Sequence, residues 1–97
     1  MLKPEHTAKM GFRESQSGTR MFRCAVNYVA GKPENEYVKL IDDVYVYVAE
    51  ESGTNVTCVE KAVRHAILKA GFTMTAKNLI LLTAAAVREG KFNDEGE

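Results

Sequence analysis

A chain of 97 residues has room for one domain with a modest core. Its apolar share of 45% and charged share of 27% are those of an ordinary globular protein, with no apolar run near the roughly 18 residues a membrane span needs. The net charge of zero, on its own, counts against a partner as anionic as nucleic acid.

The charge is nevertheless segregated along the chain. Residues 1–32 carry Lys3, Lys9, Arg13, Arg20, Arg23 and Lys32 against two acids, a balance of +4. Residues 33–53 reverse this to −5, residues 54–92 return to +4, and the tail holds Asp94, Glu95 and Glu97. A neutral protein arranged this way is able to present a basic face.

In chain order, Lys3 to Met10 reads as a short helix with Pro4 in its first turn, where a missing N–H does no harm. Gly11 ends it, and residues 12–18 read as a loop. Thr19 to Ala30 has Met21, Phe22, Ala25, Val26 and Val29 at helical spacing. Gly31 is its expected C-cap.

Pro33 opens a helix expected to run to about Glu51, with Glu34 and Glu36 in a first turn whose dipole favours acids. Tyr37, Leu40, Ile41, Val44 and Val48 form its apolar side, with Tyr45 on the flank. The segment Val44 to Val48 has strong β-propensity, so a strand is the competing reading. Helix is preferred because the spacing continues through it and no other segment clearly pairs with it.

Ser52 to Asn55 forms a tight turn. Thr54 or Thr57 is expected to cap the next helix, and Thr57 with Glu60 matches a capping box. Val56, Val59, Val63, Ala66, Ile67 and Ala70 make the buried stripe of a helix at 55–70. Gly71 ends it. Thr75 caps a last helix to Glu89, with Leu79, Leu82 and Ala86 plus the neighbouring Ile80 and Val87 as its apolar face. The expectation is an all-α, small helical domain containing a helix-turn-helix over residues 1–92, with a disordered acidic tail at 93–97.

No signal-peptide core precedes the first helix, so a cytoplasmic location is expected. Cys24 and Cys58 lack paired-ligand spacing; a disulfide is not expected, and Cys24 reads as a small core residue. His6 and His65 lie far apart with no clustered ligands, so no metal site and no cofactor are expected. Asp42-Asp43 reads as a solvated helix face. Neither a nucleophile–base motif nor a glycine-rich phosphate loop appears, and an enzyme is not expected.

The functional signal is the helix–turn–helix at 33–51 and 55–70. In such a unit the second helix enters the major groove and its N-terminal residues meet base edges. With the valines facing inward, Asn55, Thr57, Cys58, Glu60, Lys61, Arg64, His65 and Lys69 remain outside. Lys61 and Arg64 suit guanine or phosphate oxygens, while Asn55 and Thr57 near the helix start suit a phosphate.

The run from Val48 to Ile67, above all Val59-Glu60-Lys61-Ala62-Val63-Arg64-His65-Ala66-Ile67, resembles the C-terminal effector domain of the sporulation initiation factor family. Gly11 and Gly18, the helix 19–30 and residues 72–88 extend the resemblance over most of residues 2–90. The resemblance implies an all-helical DNA-binding domain, with Glu60, Lys61, Arg64 and His65 at or beside DNA-contact positions. Thr57 replaces a serine, Cys58 stands where the family usually has an arginine, and the connection after Ala70 is shorter. The length leaves no room for a receiver domain, so any switch by phosphorylation is expected to come from elsewhere.

The expected function is sequence-specific DNA binding and transcriptional regulation. The partner is double-stranded DNA, self-association into a homodimer is left open, and no membrane is involved. The alternative is a protein-interaction module that keeps the scaffold without binding DNA. The neutral charge, Cys58 and the acidic stretch 33–51 favour it.

Overall fold

The computed structural model describes residues 1–32 and 43–92. Among the described residues the chain is all-helical: α1 (Pro4–Lys9), α2 (Ser17–Ala30), α3 (Tyr45–Ser52), α4 (Val56–Lys69) and α5 (Ala76–Arg88). The first ten residues of the helix expected at 33–51, and the tail expected at 93–97, lie outside the described residues.

The segment Val44 to Val48 is helical, not a strand. Val44, Tyr45, Val48 and Ala49 are all buried, a spacing only a helix turns to one side. Tertiary packing of that face overrides the β-propensity of the run. Tyr45, expected on the flank, is in fact a core residue, 1% exposed.

α2 is the central element. It packs against α4 on one side and α5 on another, while α3 packs on α4 and α2. Phe22, Val26 and Val29 of α2 meet Val59, Val63 and Ile67 of α4 and Leu79, Ile80 and Ala84 of α5 in one core. Phe12 stacks on Phe22 at 4.6 Å between centroids and tilts against Phe72 at 5.8 Å. One aromatic cluster thereby pins both the α1–α2 and the α4–α5 connections.

α2 begins at Ser17, so Gly18 is helical and buried, where the sequence reads as loop. The reason is contact with α4. A Cβ on Gly18 would stand 2.0 Å from the carbonyl oxygen of Ala62 and 3.0 Å from the Ala66 Cβ. Only a residue without a side chain lets the two helices approach so closely. At the other end of α4, a Cβ on Gly11 would lie 3.1 Å from the Ala70 carbonyl oxygen.

Polar side chains close the ends of α2. The Arg88 guanidinium donates to the carbonyls of Val29 at 2.6 Å and Lys32 at 3.1 Å. The Asn27 carboxamide accepts from the Leu2 N–H at 2.8 Å and donates to the Leu2 carbonyl at 3.1 Å. Arg23 pairs with Glu14 and donates to the Thr7 hydroxyl at 3.1 Å. Cys24, expected as a small core residue, is half-buried and packs against the margin of the core, free of any disulfide.

α5 is rotated relative to expectation. Its buried stripe is Leu79, Ile80, Thr83 and Ala84, whereas Leu82 is 62% exposed and Ala86 half-buried. The continuous apolar run 79–82 leaves the buried side undetermined in one dimension. Contact with α2 selects the side that carries Thr83.

Burial pushes the Tyr45 phenol up to about 12; the Glu60 carboxylate adds to this and Arg64 opposes it. The folded pKa lies above the ordinary value of 10.0, so the stabilising contribution is complete below pH 10 and declines as pH rises towards 12. Urea denaturation at pH 9 and pH 11.5 should show this loss in the parent and a smaller one in Tyr45→Phe. Val63→Asp places an unpaired charge in a fully buried site, a penalty of several kcal/mol against a total of about 5–15. It should leave the chain unfolded by circular dichroism. Gly18→Ala should lower the melting temperature by about 10 °C or more, because overpacking here costs about 1–3 kcal/mol or beyond. Gly53→Ala should cost about 1 kcal/mol, since no atom lies within 4 Å and only its positive φ of 69° resists a side chain.

Candidate nucleic-acid interface

The outward face of α4 follows from how the helix starts. Gly53, with φ 69°, closes α3, and the Thr54 N–H returns to the Ala49 carbonyl at 2.9 Å. Asn55 is the N-cap of α4, its side-chain oxygen accepting from the Cys58 N–H at 2.9 Å. The expected caps at Thr54 or Thr57 are corrected. Thr57 already lies inside the helix, so Thr57 and Glu60 form no capping box. Asn has the same capping chemistry and sits one turn before the donor it satisfies.

From that start, Val59, Val63, Ala66 and Ile67 turn inward and are buried; Val56 and Ala70 are half-buried at the ends of the stripe. Asn55, Thr57, Cys58, Lys61, Arg64, His65 and Lys69 are exposed, and Glu60 is half-buried. Thr57, Lys61, Arg64 and His65 share one side at i+3 and i+4 intervals. Lys69 falls in the last turn, two turns from Lys61 and away from the helix start. Asn55 is adjacent to this face, with its carboxamide oxygen committed to the cap.

Leu68, absent from the sequence reading, belongs to the same side and is 63% exposed. Its spacing from Arg64 was the available signal. An apolar residue four positions after an exposed arginine continues the outer face rather than the core.

Two groups of cations stand in contrast. Arg23 and Arg88 are engaged inside the fold, with Glu14 and with the α2 carbonyls. Lys61, Arg64 and Lys69 make no ion pair among the described residues, and their charges face solvent. Beside the α3–α4 turn, Ser17, Arg20, Met21, Cys24, Glu51 and Ser52 line a shallow groove. There burial, and then Glu51, push the Cys24 thiol up, which keeps it protonated and a poor nucleophile. The Glu51 carboxylate likewise raises the Tyr47 phenol, whose ring stacks on Tyr28 at 4.4 Å.

Among the described residues no group of three or more His, Cys, Asp or Glu side chains is placed to hold a metal ion. Nor, among the described residues, is any helix long and apolar enough to cross a membrane.

No curated protein and no solved structure matches the chain. The family model described as "Sporulation initiation factor Spo0A C terminal" matches residues 5–95. That match spans α1 to α5 and includes the whole outward face of α4, and the chain belongs to this family.

Proposed function

We propose that this protein is a sequence-specific DNA-binding regulator of transcription that reads the major groove with α4. The family is one of DNA-binding effector domains, and DNA binding with transcription regulation is its general activity. The observation that carries the finer reading is the outer side of α4. Lys61 and Arg64 are exposed there, without an ion pair among the described residues, one turn apart, on a helix whose opposite side is locked into the core.

Each residue of the face then has a chemical role. Arg64 offers five donors in a planar fork, suited to guanine O6 and N7 or to a phosphate. Lys61 adds a flexible point charge. Glu60 accepts from the exocyclic amine of cytosine. The Thr57 hydroxyl and the Asn55 amide, at the positive end of the helix, suit a phosphate. His65 and Lys69 support the backbone contact further along, and Cys58 contributes small size where a longer cation would project.

A second reading, a protein-interaction module, draws on the exposed leucines Leu68, Leu81 and Leu82 and on the zero net charge. Its discriminating feature is indifference to duplex DNA.

The test is a mobility shift with random duplex at low salt, followed by selection of preferred sites. The parent should bind with a steep dependence on salt. Lys61→Ala with Arg64→Ala should abolish binding at physiological salt and leave the melting temperature within a few degrees, because both side chains face solvent. Loss of a base contact should cost about 1–3 kcal/mol on selected sites only; loss of a phosphate contact should weaken all duplexes and flatten the salt slope by about one. A parent that ignores duplex DNA at low salt would establish the interaction-module reading instead. A double variant that binds as well as the parent would remove α4 as the reader.

A further inference from the structure

α2 and α3 run antiparallel along one seam. At one end Tyr28 of α2 stacks on Tyr47 of α3. At the other, Ser17, Arg20, Met21 and Cys24 face Glu51 and Ser52 across the open groove. The α3–α4 turn leaves directly from this second end, since Gly53 follows Ser52 and Asn55 caps α4. Gly18, next to Ser17, is seated against Ala62 and Ala66 of α4. The groove therefore lies beside the first half of α4, on the flank where Cys58 stands one turn before Ala62.

Arg20 is exposed at the groove and makes no ion pair among the described residues, although Glu51 lines the same space. Arg23, three residues further along α2, is by contrast engaged with Glu14 and Thr7. Ser17 and Ser52 place one exposed hydroxyl on each wall. The open space is about 420 Å³, which admits a phosphodiester group. A guanidinium with a permanent charge and five donors, between two hydroxyls that also donate, matches the oxygens of such a group.

A helix in the major groove is bordered by the phosphate backbones of both strands. If the outer side of α4 meets base edges, its Cys58 flank and the adjoining groove come up to one of those backbones. We propose that the groove between α2 and α3 holds one backbone phosphate of the duplex that α4 reads: Arg20 supplies the charge, and the Ser17 and Ser52 hydroxyls donate to the phosphate oxygens. This rests on α4 being the DNA-reading helix. Cys58 carries no positive charge, so the cation on this flank comes from a neighbouring helix. Glu51 repels the phosphate and limits how tightly it is held. A phosphate is the same at every base pair, so the groove contributes affinity and register and no sequence preference.

The experiment measures mobility shifts across a range of salt for the parent, Arg20→Ala, Arg20→Lys and Glu51→Gln. Each is tested on a duplex selected from a random pool by the parent and on unselected duplex. A second set of selected duplexes carries a single uncharged methylphosphonate at successive backbone positions. Arg20→Ala should melt within a few degrees of the parent, because its side chain faces solvent. It should bind both duplexes roughly tenfold more weakly at low salt and flatten the salt slope by about one. Arg20→Lys should keep the slope, and Glu51→Gln should tighten binding to both duplexes, a gain that no folding defect produces. One methylphosphonate position should weaken the parent and leave Arg20→Ala unaffected.

The groove is removed as a phosphate site if a DNA-binding parent and Arg20→Ala bind alike with the same salt slope. It is also removed if every methylphosphonate that weakens the parent weakens Arg20→Ala equally. A loss confined to the selected duplex would make Arg20 a base contact and overturn the proposal as well. A parent that binds no duplex removes the DNA reading itself, and the phosphate role of Arg20 with it. The parent's own binding therefore separates the two failures.

Discussion

The close approach of α2 to α4 at Gly18 is the contact from which the other packing follows. With the Ala62 carbonyl in the space a side chain would occupy, the two backbones pack at a distance that larger residues forbid. Gly11 grants a similar approach at the far end of α4, beside the Ala70 carbonyl. Two points of backbone contact, eight residues apart on α4, fix its rotation as well as its position. Once rotation is fixed, Val59, Val63 and Ile67 must face inward and Lys61 and Arg64 outward. The outward face of α4 is thus a consequence of where two side chains are missing on neighbouring segments.

The same geometry explains how a chain of zero net charge displays a basic surface. Charge matters by position, and the fold withdraws some of it. Arg88 is consumed in closing the end of α2, and Arg23 in tying α2 to Glu14 and Thr7. Among the described residues the cations of α4 have no such structural duty. An anionic partner approaching this helix would meet Lys61, Arg64 and Lys69 together on its solvent side.

The turn between α3 and α4 couples packing to that face. Gly53 reverses the chain, Asn55 fixes the first residue of α4, and Tyr45 fills the space behind it. A shift of one residue in the cap would turn the helix by about 100° relative to its start. The polar group that sets the register is therefore as important to the surface as the residues displayed on it. This places Asn55 chiefly in the architecture of the site, with its oxygen already engaged.

Much of this was legible in the sequence. The glycines at 11, 53, 71 and 90 mark helix ends because each adopts a positive φ. The valine stripe of α4 and its polar complement are legible because a regular period of 3.6 divides a helix into two sides without reference to any neighbour. The run from Val59 to Ile67 was distinctive enough to indicate the family. Sequence reasoning failed where both sides of a helix offer apolar groups, or where a residue's role depends on another element. Leu82 and Thr83 exchange places because α2, and not hydropathy, selects the buried side of α5. Ser17 and Gly18 resemble loop residues until α4 lies against them. Tyr45 looks peripheral until α3 and α4 close around it. Periodicity along one chain determines which residues share a face; only the approach of a second element decides which face is covered, because burial is a property of the pair.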